Sequence, residues 1–272
     1  MKKDYGNLLE SVRSKKPLIH HITNYVTVND CANITLAIGA SPVMADDLNE
    51  AADITGISSA LVLNMGTLNE RTIKSMLIAG KAANKAGIPV VFDPVGVGAS
   101  KLRNQSAAKI LDEIKISVLR GNISEIKQIA GIQSTTKGVD ASHEDMLNTD
   151  DAITVTKTLS AKLGCVVAVT GAIDVVSYGE KAVCIENGHH MMSNITGTGC
   201  MCSSLIGSFC GASPDSLFDA TVSALLAMGI AGEIAFEKDG EKGNGSFRTA
   251  LHDAVSSMDA KTLAGRAKLY EA

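Results

Sequence analysis

The residues with the most evident chemistry are Gly197-Thr198-Gly199-Cys200, inside the stretch "SNITGTGCMCSSLIG". Glycines let the backbone turn sharply and approach a ligand closely. The apolar segment behind them reads as a helix, whose first N–H groups are unpaired and whose start carries the positive end of the dipole. A phosphate or a developing oxyanion fits such a turn, and a glycine turn that only permits tight helix packing is the plainer alternative. The chain has no Gly-x4-Gly-Lys-Ser/Thr motif, so it is not a Walker-type phosphate loop. Position 202 is Cys where a dinucleotide fingerprint needs its third glycine, which speaks against a nicotinamide enzyme.

Two carboxylates come next. Asp93 precedes Pro94, which keeps it extended. Glu125 lies three residues after Asn122 at the start of a short helical pattern. Taken singly, Asp93 reads as a turn residue and Glu125 as the capping-box partner of Asn122. Together they suit Mg²⁺, which takes one or two protein carboxylates and completes its octahedron with water and phosphate oxygens. Arg120 adds a positive charge suited to phosphate, or else a surface ion pair. Thr170-Gly171 closes an otherwise apolar run, as a contact or as a simple turn. Carboxylates for Mg²⁺, an Arg and a glycine-rich helix start describe phosphoryl transfer, which depends on positioning and charge stabilisation.

These residues must be positioned by regular elements. "SSALVLNMG" reads as a buried strand ending near Asn64, and the helix after it stops at Gly87. "IPVVFDPVGVG" is a strand ending at Asp93, followed by the helix "RNQSAAKILDEI". "ISVLRGN" is a short strand and "SEIKQIAG" a short helix that Ser124 is placed to cap. A helix over "DDAITVTKTLSAKLG" leads to the strand "CVVAVTG", and "AIDVVSYGEKAVCIENG" reads as a hairpin or meander. Helical patterns dominate from Gly199 to the end, with Ser213 as an N-cap and Pro214 at the first helical position. Near-continuous apolar strands alternating with helices imply an α/β fold: a mainly parallel sheet with helices on both faces. Ligands of such sheets bind at the carboxyl ends of the strands. Asn64-Met65-Gly66, Asp93-Pro94, Arg120-Gly121-Asn122 and Thr170-Gly171 should therefore emerge along one edge.

The chain has 272 residues, 45% of them hydrophobic, and no Pro/Ser-rich linker divides it; one domain over 1–272 is expected. The formal net charge is -4 and basic residues are not clustered, so no nucleic-acid surface is expected. The start "MKKDYGNLLESVRSKKP" has no apolar core of a signal peptide, and no apolar run reaches a bilayer-spanning length. A cytoplasmic setting with no membrane partner is the expectation. Six cysteines, mostly inside apolar runs, do not suggest a disulfide scaffold. Cys200-x-Cys202 near His189 and His190 does not make a metal site, because helix residues two apart face differently.

With these motifs in place the chain resembles a known family. "Asn122-Ile123-Ser124-Glu125" looks like the N-x-x-E element of the ribokinase-like superfamily. "Gly197-Thr198-Gly199-Cys200" is similar to its G-x-G-D anion hole, with Cys for Asp. "PLIHHITNYVTVNDCANITLAIGASPVMADD", "VLNMGTL", "FDPVGVGAS", "RGNISEI" and "SFRTALHDAV" resemble the hydroxyethylthiazole kinases of thiamine salvage, in order and over nearly the whole chain. The resemblance implies a ribokinase-like fold and ATP- and Mg²⁺-dependent phosphorylation of 4-methyl-5-(2-hydroxyethyl)thiazole. It implies Asn24, Met44, Gly66 and Gly197 at the thiazole, Arg120 and Thr170 at ATP, and Asp93 and Glu125 at Mg²⁺, directly or through water. Gly197 and Gly199 would form the anion hole, with Cys200 beside the reacting hydroxyl. It also implies a homotrimer with sites between subunits.

Cys200 keeps three readings: a base in place of Asp, a neutral wall of the pocket, or a packing residue. A helix start lowers a thiol pKa while nearby polyphosphate raises it. A loose transition state needs only late, weak proton removal, so a poor base suffices. His20 and His21 point apart in any regular structure; one is expected to be structural, hydrogen-bonded near a strand end. Met44 has an ordinary core reading beside the pocket one. A sugar kinase of the same superfamily, or a thiazole or nucleotide binder without catalysis, stands behind the kinase reading.

Overall fold

The computed structural model describes residues 5–132 and 149–272. A single sheet of nine strands carries them: β1 (Leu18–Ile22), β2 (Ser41–Met44), β3 (Ala60–Asn64), β4 (Val90–Asp93), β5 (Val118–Asn122), β6 (Val166–Thr170), β7 (Asp174–Tyr178), β8 (Lys181–Ile185) and β9 (Leu269–Glu271). Their order is β2-β1-β3-β4-β5-β6-β7-β8-β9. The first six strands pair parallel and the last three are added antiparallel. This is the mainly parallel α/β sheet that the apolar runs imply. The strand segments "ALVLN" and "VVFD" are buried at every position because helices cover both faces.

One face is covered by α1 (Tyr5–Lys15), α2 (Val28–Ile38), α8 (Thr198–Ala212), α9 (Leu217–Asp239) and α10 (Asn244–Ser257). The other is covered by α4 (Glu70–Ala86), α5 (Lys101–Glu113), α6 (Ile123–Ala130) and α7 (Thr149–Leu163). The short helices α3 (Ala51–Gly56) and α11 (Ala260–Arg266) complete the set among the described residues. Helix α9 with its preceding turn is long and apolar enough to cross a membrane, yet it is mostly buried, packed against α8 and α10. A helix apolar all round is what a core position in a large domain requires.

Helix ends follow local chemistry. The side chain of Asn69 accepts from Thr72 N–H at the start of α4, and Gly87 ends that helix in the left-handed region. Helix α6 is capped by Asn122 and not by Ser124. Asn122 Oδ1 accepts from Glu125 N–H, and Glu125 Oε2 accepts from Asn122 N–H. The reciprocal box satisfies two orphan donors, which a Ser one residue inside the helix cannot do. Ser213 makes no side-chain cap bond; Pro214 opens a short 3-10 turn before α9. The carboxyl end is not wholly helical either, since β9 pairs antiparallel with β8. Three half-exposed residues carry no periodicity, so only the free edge of β8 defines that strand.

Candidate active site

The carboxyl ends of the parallel strands gather the predicted residues. Asn24 follows β1, Met44 ends β2, Asn64 ends β3, Asp93 ends β4, Arg120 to Asn122 end β5 and Thr170 ends β6. Asn64 pairs in register with Asp93, and Asn122 with Thr170. Strand registry alone thus sets these strand-end groups next to each other.

Asp93 is fully buried. Its Oδ2 accepts from Ser203 Oγ at 2.7 Å, Asn64 Nδ2 at 2.9 Å and Arg120 Nη1 at 3.3 Å. Burial pushes the Asp93 carboxyl up from its ordinary range, and Arg120, Ser203 and Asn64 pull it back. Arg120 also donates through Nη2 to Thr170 Oγ1. Burial opposes the Arg120 charge, but the neighbouring charge of Asp93 outweighs it and keeps the guanidinium charged. Two atoms of this cluster are buried without a partner: Asp93 Oδ1 and Arg120 Nε. A buried acceptor and a buried donor left unpaired cost free energy that a bound ligand meeting them would recover.

Glu125 is almost wholly occupied by the backbone. Oε1 accepts from Gly96 N–H at 2.7 Å and Oε2 from Asn122 N–H at 2.8 Å. Burial, and then the charge of Asp93, raise its pKa to about 7 against these two amides. Both oxygens already hold a hydrogen bond, so its fit to a metal is through water, while Asp93 Oδ1 has a free lone pair. Among the described residues no cluster of three or more His, Cys, Asp or Glu could hold a metal by itself. The donor set suits an ion that brings water and phosphate as most of its shell, as Mg²⁺ does.

Helix α8 begins at this edge. Gly197 precedes it at φ 90°, a left-handed conformation costly for residues with a Cβ. A Cβ there would also stand 2.6 Å from Thr27 Cγ2. Gly199 lies against the guanidinium: a Cβ would stand 2.6 Å from Arg120 Nη1. The glycines thus let the helix start approach Thr27 on one side and Arg120 on the other.

Cys200 stands between the two halves. Its Sγ accepts from Asn24 Nδ2 and from Asn64 Nδ2, each at 3.3 Å. Burial first, and then the charge of Asp93, raise the thiol pKa; Thr27, Arg120 and Asn24 work against them. Asn24 in turn donates to Asn64 Oδ1 at 2.9 Å and accepts from Thr27 N–H and Oγ. Gly66 N–H donates to Asn64 Oδ1 at 2.9 Å, and a Cβ on Gly66 would stand 2.6 Å from Asn24 Cβ. Met44 is half-buried at the end of the edge strand and pairs with His21.

Asn64 and Ser203 join this site without having been assigned a role from the sequence. A polar residue ending the all-apolar "ALVLN" was the available signal for Asn64. Ser203 lies one helical turn after Cys200, a spacing that returns a side chain to the same face. The histidine expectation holds: His20 Nε2 meets Ala45 O at 2.6 Å and Nδ1 meets Thr55 Oγ at 2.8 Å, beside the end of β2. His189 stacks on Phe236, and His190 lies tilted against His189.

The model of the hydroxyethylthiazole kinase family matches residues 9–261. The chain belongs to the hydroxyethylthiazole kinase family. Among its relatives, hydroxyethylthiazole kinase of Ruminiclostridium cellulolyticum is 62% identical over 99% of this chain and 98% of its own. That of Clostridium tetani is 54% identical over 100% and 98%. The solved hydroxyethylthiazole kinase protein of Pyrococcus horikoshii superposes with a TM-score of 0.89 at 36% identity, covering 98% of each chain. A ribokinase-like superfamily protein of Enterococcus faecalis, at 11% identity and a TM-score of 0.64 over 94% and 95% of the two chains, shares the fold alone. The fold is ribokinase-like and the molecule is a kinase of this family.

Proposed function

We propose that this kinase transfers the γ-phosphoryl group of ATP to the hydroxyl of 4-methyl-5-(2-hydroxyethyl)thiazole, the thiamine-salvage reaction of its family. The observation that carries the residue roles is the convergence on Cys200. Two Asn amides from the β1 and β3 ends reach its sulfur, while the Arg120–Asp93 pair lies directly behind Asn64.

The thiazole occupies the side formed by Asn24, Met44, Gly66 and Gly197, its hydroxyl beside Cys200 Sγ. The phosphates of ATP lie toward Arg120 and Thr170, with the amides of Gly197 to Cys200 facing charge that develops on the transferring group. Arg120 Nε, buried and unpaired, is the donor available to them. Asp93 and Glu125 are the residues that would hold Mg²⁺, which would supply neutralisation of the polyphosphate charge. Asn64 holds Asp93 and Cys200 in fixed relation. With its pKa raised, Cys200 stays a thiol, accepts the two amide N–H groups and shapes the pocket; the hydroxyl proton passes late, in a loose transition state, to an oxygen of the transferred phosphoryl group or to water. The whole chain acts as one domain in the cytoplasm, with no nucleic-acid or membrane partner. The exposed Tyr25 and Val26 beside Asn24 support burial in a homotrimer, which light scattering tests.

The test is ATP turnover with Mg²⁺ against the thiazole alcohol, hydroxymethylpyrimidine, ribose and no acceptor. Turnover confined to the thiazole is expected. Turnover with another alcohol would retain the transfer machinery and discard the thiazole pocket. Thiazole binding with no turnover would leave a catalytically silent binder.

A further inference from the structure

Arg103 lies in the first turn of α5, on the side of the sheet away from α8, and makes no hydrogen bond to a side chain of the residues assigned above. Its guanidinium instead collects three main-chain carbonyls. Nη1 donates to Met65 O at 2.5 Å and to Val95 O at 2.6 Å, and Nη2 to Gly66 O at 2.7 Å. Met65 and Gly66 belong to the turn after β3, and Val95 to the turn after β4. Both turns leave the sheet at its active edge. A planar fork with fixed donor directions can hold three carbonyls in one arrangement, whereas an ammonium is a point charge on a flexible stem.

What the two turns carry makes the bridge consequential. On the β3 side, the Gly66 N–H fixes Asn64 Oδ1, and Asn64 reaches both Cys200 and Asp93. On the β4 side, the residue after Val95 gives its N–H to Glu125. One guanidinium therefore couples the peptide lining the acceptor side to the peptide that orients a carboxylate on the phosphate side. Arg103 N–H is itself held by the N-cap Ser100, so the fork projects from a fixed helix start.

We propose that Arg103 is a positioning residue for phosphoryl transfer: it sets the Met65–Gly66 turn against the Val95–Gly96 turn and so fixes the acceptor alcohol relative to the phosphates. The inference rests on the alcohol-kinase reading of the site. Loss of the fork should loosen the acceptor side first, because two of the three carbonyls belong to it. ATP, held through Arg120, Thr170 and the start of α8, should be affected little.

The experiment compares wild type, Arg103→Ala, Arg103→Lys and Arg103→Gln in steady-state turnover of the preferred alcohol, with melting temperatures recorded. For Arg103→Ala, kcat/KM for the alcohol should fall about 10²-fold, the scale of a small misplacement of reacting groups, while the KM for ATP moves less than about 2-fold on that basis. Arg103→Lys should recover part of the loss. Added guanidinium chloride at sub-denaturing concentration should raise the rate of Arg103→Ala and not that of wild type. Unchanged alcohol kinetics, equal losses on both substrates, or failure of all three variants to fold would each overturn the proposal, the last because it makes the residue a general scaffold element. If wild type prefers an alcohol other than the thiazole, the substrate reading fails by itself, and the Arg103 split is then read on that alcohol.

Discussion

Cys200 stands where the G-x-G-D pattern that this turn resembles has Asp, and its surroundings decide what it can do. Two amide N–H groups favour a thiolate, but burial and the neighbouring Asp93 disfavour it more strongly, so the thiol pKa is raised. A side chain that stays protonated gives little of the ~10²–10⁴-fold that general-base catalysis supplies. Cys200→Ser keeps an acceptor for both amides and should therefore retain activity within about tenfold of wild type. Steady-state kcat measures it; a loss of 10³-fold or more with an unchanged melting temperature would mean that the sulfur takes the proton.

The start of α8 is the element that meets Thr27 on one side and Arg120 on the other, the two sides of the proposed site. Its glycines are there for space, and the space at Gly199 belongs to Arg120. Gly199→Ala places a methyl group 2.6 Å from Arg120 Nη1, so the guanidinium must shift against its bonds to Asp93 and Thr170. The KM for ATP should rise about tenfold or more, in keeping with the 1.5–3 kcal/mol of a charged hydrogen bond, with the KM for the alcohol nearly unchanged. Kinetics with each substrate varied in turn would show it, and an effect confined to the alcohol would misplace Arg120. At the same scale, α6 shows why one glutamate was legible in two ways. Glu125 is both the capping-box partner of Asn122 and a neighbour of Asp93, because the cap sits at the strand end where the site is built.

At the scale of the whole molecule, two buried groups bend the dependence of stability on pH in opposite directions. His21 is buried and its pKa is lowered to about 4, chiefly by burial. Between pH 6.5 and about 4 the unfolded chain takes up a proton there and the native state does not, so His21 costs stability as the solution is acidified. Glu125, raised to about 7, behaves oppositely: between pH 4.5 and about 7 the native state holds the proton and the unfolded chain has lost it, so stability falls as pH rises. Denaturant unfolding in metal-free buffer should show His21→Gln gaining on wild type below pH 6.5 by up to about 1.4 kcal/mol per pH unit. Glu125→Gln should gain on wild type as pH rises from about 5 to 7. Parallel profiles for wild type and both variants would show that neither group is buried in the charge state described.

The sequence by itself determined the central strands with the helices between them, and the edge. Apolar runs such as "ALVLN" and "VVFD" can be satisfied only between two layers of helices, and the polar residue ending each run must then lie at the carboxyl edge of a parallel sheet. Asp93, Arg120 and Thr170 were legible for that reason, the Gly197–Gly199 turn was legible as a glycine-rich helix start, and the family motifs added Asn24, Met44 and Gly66. Tertiary structure alone decided which of these groups touch. Nothing local in the chain says that Asn24 and Asn64, 40 residues apart, share one sulfur, or that Ser203 closes on Asp93 across 110 residues. It also decided that Glu125 spends both oxygens on backbone amides and that β9 exists at all. Periodicity reports whether a residue faces the core; hydrogen-bond partners depend on strand order, and strand order is fixed only when the whole sheet packs.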